Sequence, residues 1–499
     1  MGVRRGKPMT VQPSLEVEFQ IGRRSGATLR RLTTRAAVVG LTAITAVVLR
    51  AESSIPSQQP HDRPRTAAAG QKPTAGARAA TPTTKPSTAA HSTPPEPWRT
   101  WGGPRSNFTS TTTGIASTWP AGGPRRLWTR TLGDGYSGIS AESGVLYTAY
   151  RRDSNDVVIA MEEGSGKTLW EAAYAAPFSN AGGSGIAAGP YAMPQVIGSR
   201  IVMASGTGLL LSLDKRTGKI VWQHDLYGEF GGTRLGFGYS CHALPYKDTL
   251  IVLIGGSTGL ISRLTGGSGT AAAAFKQSDG AVVWQNLSFQ NAYSSPTLIT
   301  VDGQSQVVAL VAQEVIGFSP DDGTEFWRHP HPTPYGLAIS TPVWGPDNIL
   351  FVSSAYGGGS RAIQLRRSGD TTNVRELWAN PKLQLHFGTA IRIGDYVYFS
   401  DAYNGPALVT AVNVKSGQTA WQRRGFAKAQ LLLADGKLIL LDEDGTLALA
   451  TATPQNFEVH SQVALLEKTA WTPLTMVGTR LYVRDRTSIV ALDLAAPRA

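Results

Sequence analysis

The chain contains a single cysteine, Cys241, among its 499 residues. It therefore cannot form an internal disulfide, a multi-cysteine metal site or a vicinal cysteine pair. Apolar runs with helical periodicity are nearly absent after residue 100, whereas 55 glycines and 30 prolines punctuate the sequence. This composition favours many short strands joined by turns, and it predicts an all-β protein.

Charged residues are also scarce, at 16% of the chain, although the formal net charge is +12. The excess lies at the N-terminus, where residues 1–50 contain nine Arg or Lys and two Glu. The remainder from Trp98 onward carries only +3. Because attraction to nucleic acid requires a basic surface on the folded part, we predict no nucleic-acid partner.

In the N-terminal 51 residues, basic residues precede an apolar run, as they do in an export signal. Arg30 and Arg31 precede an apolar run from Ala36 to Leu49, which is shorter than the roughly 20 residues of a spanning helix. A cleaved signal is favoured over an uncleaved anchor, and either one places the C-terminal bulk outside the cytoplasm, periplasmic or membrane-anchored. No cysteine directly follows the run, which excludes a lipoprotein anchor.

Residues 52–97 are rich in Pro, Thr, Ala and Ser and contain almost no large apolar side chains. Such a segment buries too little surface to offset the entropy of ordering, so it is predicted to be a disordered, membrane-proximal tether. The folded domain is then residues 98–499, and we expect it to be a monomer.

A repeated frame organises that domain: a small residue, glycine six positions later and tryptophan four positions after the glycine. Five segments match it: Ala160/Gly166/Trp170, Ser212/Gly218/Trp222, Ala274/Gly280/Trp284, Gly317/Gly323/Trp327 and Ala411/Gly417/Trp421. A period of roughly 40 to 60 residues built from short strands predicts a β-propeller.

The frame is a hairpin in which glycine supplies a turn with positive φ and tryptophan lies in the outgoing strand. A large flat ring at that place fills the wedge between neighbouring sheets. We therefore interpret five tryptophans as structural, docking one blade against the next: Trp170, Trp222, Trp284, Trp327 and Trp421.

Eight short openings precede the hairpins, which predicts eight four-stranded antiparallel blades. Two units are degenerate, since Val374 replaces the glycine before Trp378 and the seventh unit ends without tryptophan. The strand around Trp128 lacks the first half of the frame, and the strand at Ile489 to Leu494 lacks the second half. We therefore expect the N-terminal strand to complete the last blade and close the ring.

The openings converge on the central axis, because the chain must run inward to begin each innermost strand. Aromatic, hydroxyl and imidazole side chains there suggest a ligand pocket at the channel mouth. The alternative is that these side chains satisfy loop backbone around a crowded axis. The candidate residues are Tyr136, Tyr239, Ser240, His242, Tyr293, Ser294, His386 and Trp471.

The frame, together with Trp98, Trp101-Gly-Gly-Pro104 and Gly133-Asp-Gly135-Tyr-Ser137, resembles the PQQ-binding-like β-propeller repeat family of bacteria. That superfamily includes quinoprotein alcohol dehydrogenases and BamB, a propeller lipoprotein of barrel assembly. The resemblance implies an eight-bladed propeller and leaves the activity open.

In that family, dehydrogenases typically carry a vicinal Cys-Cys pair and a Glu, Asn and Asp that bind Ca²⁺ beside the quinone. A single cysteine cannot supply the pair, and Glu162, Asp214 and Asp493 fall at turn positions of the frame. We therefore predict no catalytic residues, no metal site and no cofactor. PQQ and Ca²⁺ belong to the alternative hypothesis, a polyvinyl-alcohol-type dehydrogenase.

The leading hypothesis is a non-catalytic exported propeller that binds a partner protein or an envelope polymer. It differs from BamB in lacking a lipidated cysteine and in its long N-terminal stalk. A third hypothesis, a carbohydrate-active propeller, requires a pair of carboxylates whose clustering a sequence does not reveal.

Overall fold

The computed structural model describes residues 95–179, 186–256, 270–401, 403, 405–467 and 469–496. The predicted signal or anchor segment and nearly all of the predicted tether lie outside these residues. Within the described ranges, no helix has the length and apolar character needed to cross a membrane.

The N-terminal part of the domain forms a 3₁₀ turn and two strands. The turn is Gly103–Arg105, and the strands are β1 (Thr109–Ser110) and β2 (Arg125–Thr131). Each of the 31 following strands belongs to a sheet of neighbours in sequence, as expected where turns of two to five residues join antiparallel strands.

Blades 1 to 4 each contain four consecutive antiparallel strands. Blade 1 consists of β3 (Ser140–Glu142), β4 (Val145–Arg152), β5 (Asn155–Glu162) and β6 (Thr168–Ala175). Blade 2 consists of β7 (Gln195–Ile197), β8 (Arg200–Ala204), β9 (Leu209–Asp214) and β10 (Ile220–Asp225). Blade 3 consists of β11 (Leu244–Tyr246), β12 (Thr249–Leu253), β13 (Ala272–Lys276) and β14 (Val282–Asn286). Blade 4 consists of β15 (Thr297–Val301), β16 (Gln304–Leu310), β17 (Glu314–Phe318) and β18 (Glu325–Pro330).

Blades 5 to 7 also contain four consecutive antiparallel strands, and β1 adds a fifth, parallel strand to the sheet of blade 7. Blade 8 takes its outer strand from the N-terminus. Blade 5 consists of β19 (Val343–Trp344), β20 (Ile349–Ser354), β21 (Gly359–Ser368) and β22 (Thr371–Asn380). Blade 6 consists of β23 (Ile391–Ile393), β24 (Tyr396–Asp401), β25 (Leu408–Asn413) and β26 (Thr419–Arg424). Blade 7 consists of β27 (Gln430–Ala434), β28 (Lys437–Leu441), β29 (Thr446–Ala452) and β30 (Phe457–Ala464). Blade 8 consists of β31 (Thr475–Val477), β32 (Arg480–Arg484), β33 (Ser488–Asp493) and β2.

The eight sheets form a propeller, which confirms the predicted fold class. We call the strands of each blade A to D in sheet order. The A strands of neighbouring blades approach one another, since β3 contacts β7 and β31, and β23 contacts β19 and β27. The A strands therefore surround the axis, and the D strands form the outer wall.

Antiparallel pairing divides the turns between two faces. The A–B and C–D turns lie on one face, which we call the lower face, and the B–C turns and D–A connections lie on the other, the upper face. The openings recognised in the sequence are D–A connections, so they belong to the upper face.

The tryptophan of one blade packs against the frame glycine of the next blade. A Cβ added to Gly218, whose φ is +71°, would lie 2.5 Å from Trp170 Cε3. The indole N–H donates to a carbonyl in the same turn, Lys215 O, at 3.1 Å. The same relationship recurs in the pairs Trp128/Gly166, Trp222/Gly280, Trp284/Gly323 and Trp378/Gly417.

Two frame tryptophans reach the next blade differently. Trp421 Nε1 donates to Thr453 O of blade 7 at 2.8 Å. Trp327 Nε1 donates to Gln306 Oε1 at 2.8 Å, and Gln306 Nε2 in turn donates to Thr372 Oγ1 of blade 5 at 2.7 Å. Blade 5 lacks the frame glycine, so a buried amide bridges the gap.

The N-terminal strand pairs with the C-terminal one. Strand β2 is antiparallel to β33, with Arg125 opposite Asp493 and Thr131 opposite Ser488. Blade 8 thus combines both ends of the domain, and its outer edge is formed by residues that precede blade 1 in the chain.

A fully buried arginine joins blade 8 to blade 1. Arg484 donates through Nη1 to Ala149 O and Thr148 Oγ1, each at 2.8 Å, and through Nη2 to Gly135 O at 3.2 Å. Burial lowers the pKa of this guanidinium to about 10. Backbone and hydroxyl oxygens of blade 1 thus solvate a cation supplied by blade 8.

Candidate functional site

The central channel is occupied by the chain's own N-terminal segment. Trp98 pairs with Ala141 of β3, its N–H donating to Ala141 O at 3.0 Å. Strand β1 then runs parallel to β27 of blade 7, which is two blades from blade 1 around the ring, with Thr109 opposite Leu433. We call residues 98–110 the channel plug, because they lie inside the ring of A strands between their contacts with blade 1 and blade 7.

Trp101 fills the centre of this plug. Its indole Nε1 donates to Thr341 Oγ1 of blade 5 at 2.9 Å, and its backbone N–H donates to Gln195 Oε1 of blade 2 at 3.2 Å. The indole stacks on the His242 ring of blade 3, with 4.1 Å between centroids. One residue therefore contacts three blades across the channel.

His242 uses both ring nitrogens within the scaffold. Met193 N–H donates to Nε2 at 2.8 Å, so the ring proton is on Nδ1, which lies 2.7 Å from Ser295 Oγ. Burial lowers the pKa of His242 to about 3. The imidazole is consequently neutral, and one of its faces is covered by Trp101.

Hydroxyl groups of the openings link each blade to the next. Ser240 Oγ donates to Tyr293 O at 3.0 Å, and Ser294 Oγ donates to Ser340 O at 2.8 Å. Thr472 Oγ1 donates to Tyr136 O at 3.1 Å and continues the pattern across the blade 8 to blade 1 junction. A short side chain is required at these positions because it must reach the neighbouring backbone.

The tyrosines of the blade 3 and blade 4 openings also bond within the scaffold. Tyr239 OH donates to Leu253 O at 2.7 Å and is completely buried. Tyr293 OH accepts from Phe237 N–H at 3.3 Å, and burial raises its pKa to about 12. Cys241, between these openings, is buried, and burial raises the pKa of its thiol to about 12.

Aromatic rings form a continuous chain on the upper face, from blade 5 across blades 6 and 8 to blades 1 and 2. Successive ring centroids lie 3.7 to 6.5 Å apart. All of these rings come from D–A connections or B–C turns. We call this set the aromatic arc: Tyr335, Tyr356, Tyr403, His386, Phe387, Trp471, Tyr136 and Tyr191.

A charged pair lies against the middle of the arc. Lys428 Nζ is 5.7 Å from the centroid of Phe387 and 5.6 Å from that of Trp471. The same ammonium is 2.8 Å from Glu443 Oε2, which also accepts the Trp471 indole N–H at 3.0 Å. The pair fixes the orientation of Trp471 and places a cation on the aromatic surface.

His386 lies at the opposite side of Phe387. Its Nε2 is 2.7 Å from Tyr356 OH, and its ring stacks on Phe387 with 3.7 Å between centroids. Burial, together with the charge of Lys428, holds the pKa of His386 well below its usual value. Its Nδ1 is buried and has no hydrogen-bond partner among the described residues.

The structure thus divides the eight candidate residues into three groups. Tyr136, His386 and Trp471 lie in the aromatic arc, whereas His242 lies beneath Trp101 in the channel. The other four make hydrogen bonds within and between blades 3, 4 and 5: Tyr239, Ser240, Tyr293 and Ser294.

Sequence reasoning missed several members of the arc and the whole channel plug. Phe387 and Tyr191 lie within openings that the sequence showed, so their position alone was a usable signal. Tyr356, Tyr403 and Glu443 lie in B–C turns, which the frame does not mark. Trp101 had a recognisable motif, but its position on the axis depends on the path of the whole N-terminal segment.

A Ca²⁺ ion beside a quinone would need a cluster of oxygen ligands. Ca²⁺ requires six to eight oxygen ligands, mainly carboxylates and carbonyls. In the portion of the chain that the structure describes, no three His, Cys, Asp or Glu side chains are grouped so that they could hold a metal ion.

These features define the class of the protein: an eight-bladed, quinoprotein-like β-propeller whose channel is filled by its own N-terminal segment. The family model described as outer membrane protein assembly factor BamB matches residues 114–267 and 153–423, more than half of the chain. The chain belongs to this family.

Curated relatives and solved structures agree with that assignment. The BamB of Yersinia pestis is 26% identical over 293 residues, which are 56% of this chain and 68% of that protein. The BamB of Moranella endobia is 22% identical over 359 residues, which are 70% of this chain and 75% of that protein.

Two solved structures show the same fold at low sequence identity. The BamB structure from Moraxella catarrhalis has a TM-score of 0.51 and 17% identity, covering 74% of this chain and 99% of that one. A quinohemoprotein alcohol dehydrogenase from Comamonas testosteroni has a TM-score of 0.55 and 11% identity, covering 81% of each chain. Structural likeness at this level shows the architecture, and the function must come from the site.

Proposed function

We propose that this protein is an exported, non-catalytic propeller that binds a partner protein through the aromatic arc. Its relatives carry the name outer membrane protein assembly factor, and the predicted export segment favours a location in the same envelope. The observation that carries the proposal is the run of aromatic rings across five blades of the upper face, most of them partly buried and one, Tyr335, exposed.

The composition of the arc supports protein binding. Tyrosine and tryptophan combine a large apolar surface with a polar group, and they are enriched among the residues that dominate binding energy at interfaces. Tyr335, at one end of the arc, is 38% exposed and is among the most exposed large apolar side chains of the described residues. Trp471 is held by Glu443, so little side-chain entropy remains to be lost on binding.

The channel plug favours ligand binding at the surface of the propeller over binding inside its channel. Trp101 occupies the axis and has its N–H groups bonded to blades 2 and 5. Trp101 contacts Thr341 and His242, which lie in D–A connections of the upper face, so a ligand approaching from that face would bind at the mouth.

Site-specific photocrosslinking tests this proposal. A photoreactive phenylalanine analogue at Tyr335 in the full-length protein, expressed in its native host, is expected to crosslink to a discrete partner. The matched control carries the analogue at Leu169, which is 55% exposed on the outer strand of blade 1. Trp471→Ala is expected to reduce crosslinking from position 335 and to leave the melting temperature within a few degrees of wild type.

Three results would overturn the proposal. The first is equal crosslinking from positions 335 and 169. The second is tight binding of PQQ in the presence of Ca²⁺ with dye-linked alcohol oxidation, which would establish the dehydrogenase. The third is retention on soluble envelope glycans that Trp471→Ala abolishes, without a protein crosslink, which would replace the protein partner by a polymer.

A further inference from the structure

Blade 5 departs from the repeat in the length of its outer hairpin. Strand β21 runs six residues past Ala362, the partner of Trp378. In blade 2, strand β9 runs only two residues past Ser212, the partner of Trp222. The blade 5 hairpin therefore extends farther on the lower face than the frame requires.

The extension leaves part of the blade 5 sheet uncovered by blade 6. Blade 6 ends on this side at its own C–D turn, which contains Lys415. Beyond that turn, the sheet face that bears Gln364 and Arg375 borders a groove of about 420 Å³. We call it the hairpin groove, and it is lined by Asp347, Ile349, Gln364, Arg366, Arg375, Leu377 and Lys415.

The groove has an apolar floor and a cationic rim. Ile349 is 3% exposed, and Leu377 is half-buried beside it. Arg366, Arg375 and Lys415 are exposed around them. An apolar base with cations at its border fits a ligand that alternates apolar and anionic groups.

The rim cations differ in how far they are already neutralised. Lys415 Nζ is 2.7 Å from Asp395 Oδ1, and Arg366 Nη1 is 3.9 Å from Asp302 Oδ1. Arg375 donates only to the neutral Gln364 Oε1, at 2.9 Å, and no carboxylate of the described residues lies within 4 Å of it. Its guanidinium fork is therefore the strongest anion-binding group of the groove.

The carboxylate of Asp347 does not cancel this charge. Its Oδ2 accepts from Arg392 Nη2 at 2.8 Å, and the hydrogen bond to Arg392 holds the pKa of Asp347 below its usual value against the effect of burial. Arg392 is 7% exposed, so this pair belongs to the wall of the groove. Arg375 is therefore the main cationic group at the surface of the groove, and Arg366 and Lys415 add to its positive charge.

We propose that the hairpin groove binds an extended acidic segment of a partner protein. Three rim cations, two of them close to carboxylates, are too few for a nucleic-acid backbone, whose recognition uses many phosphate contacts. Ile349, Gln364 and Arg375 are paired partners on β20, β21 and β22, so the groove crosses these strands. An extended peptide would cross them with apolar side chains on Ile349 and Leu377 and carboxylates toward Arg375. This surface is on the lower face, so it is separate from the aromatic arc and its test is independent of the proposed function.

A labelled eight-residue peptide of alternating Glu and Val, added to the full-length protein, tests the proposal by fluorescence anisotropy. We expect saturable binding that weakens as salt is raised, and at least tenfold weaker binding by the double variant Arg375→Ala/Lys415→Ala. The matched control is Lys219→Ala/Arg216→Ala, which removes two exposed cations from the C–D hairpin of blade 2 on the same face. It should bind within twofold of wild type.

Three outcomes would overturn the proposal. The first is no binding of the acidic peptide by wild type at millimolar concentration. The second is equal loss of binding in the control pair, or binding of a Lys and Val peptide with the same affinity. The third is binding to phosphatidylglycerol vesicles that the Arg375 and Lys415 substitutions abolish, in the absence of peptide binding, which would assign the groove to a lipid surface.

Discussion

The indole of Trp170 lies directly on the backbone of Gly218, the frame glycine of the following blade, and donates its N–H to Lys215 O at 3.1 Å. The tryptophan and the glycine of the frame are thus the two partners of a contact between neighbouring blades. The glycine of one blade receives the tryptophan of the blade before it, and this contact recurs at five junctions of the ring.

Replacing Trp170 by alanine should therefore destabilise the protein strongly. Removal of a large, partly buried ring that packs on the next blade costs about 3–5 kcal/mol, and the Lys215 carbonyl loses its donor. Chemical denaturation of the full-length variant measures the loss. A change below about 1 kcal/mol would contradict a structural role for the indole.

Gly218→Ala should be more harmful than Gly198→Ala. Both residues have positive φ, +71° and +58°, but a Cβ at residue 218 would collide with Trp170, whereas one at residue 198 would meet nothing within 4 Å. Backbone strain of about 1 kcal/mol is common to both, and overpacking adds about 1–3 kcal/mol at residue 218. Equal losses in thermal or chemical unfolding would show that only the turn requires glycine.

Arg484→Met should destabilise the junction between blades 8 and 1. The substitution keeps an apolar stem but leaves several buried oxygens, Ala149 O and Gly135 O among them, without a donor. Each such group costs about 1–3 kcal/mol, so we expect a total of about 2–4 kcal/mol. Denaturation of Arg480→Met, an exposed arginine on the same strand, provides the control and should change by less than about 1 kcal/mol.

His242→Phe should reduce stability at neutral pH and change its pH dependence. The folded-state pKa of His242 is about 3, below its ordinary unfolded value near 6.5. Its contribution is therefore complete above about pH 6.5 and decreases as the pH falls toward 3, by about 1.4 kcal/mol per pH unit. The difference in unfolding free energy between wild type and variant should shrink over that interval, and a constant difference would contradict a neutral buried imidazole.

Deletion of residues 98–131 should leave the full-length chain open and prone to aggregate. The deletion removes Trp101 from the channel and β2 from blade 8, so the β33 edge becomes unpaired. Light scattering and thermal unfolding measure the outcome. A deletion variant as soluble and stable as wild type would mean that neither the plug nor the outer strand supports the ring.

Much of the fold could be predicted because its determinants are local. The spacing from Ala160 through Gly166 to Trp170 encodes one hairpin, and its repetition encodes the propeller. What Trp170 touches was not predictable in the same way, since Gly218 lies 48 positions away and the contact exists only when blades pack. The Val374 substitution indicated an irregular unit but not the length of its hairpin.

The candidate site was predicted in part for a similar reason. The openings converge because of chain topology, so Tyr136, His386 and Trp471 could be placed near one another. Their sequence did not distinguish rings of the arc from groups such as Ser240 and Tyr239 that bond to neighbouring backbone. Whether a side chain joins the arc or bonds to neighbouring backbone depends on its direction. Short irregular segments have no sequence periodicity from which that direction could be predicted.

The pairing of β2 with β33 sets an order on folding. Arg125 and Asp493 bond to each other across 368 positions of the chain, so blade 8 cannot form until nearly the whole domain has been made. Non-local contacts of this kind slow folding, because a long loop must be closed before any stabilising contact is gained. During synthesis, residues 125–131 are therefore made long before β33, and they cannot take their place in blade 8 until the C-terminal strand exists.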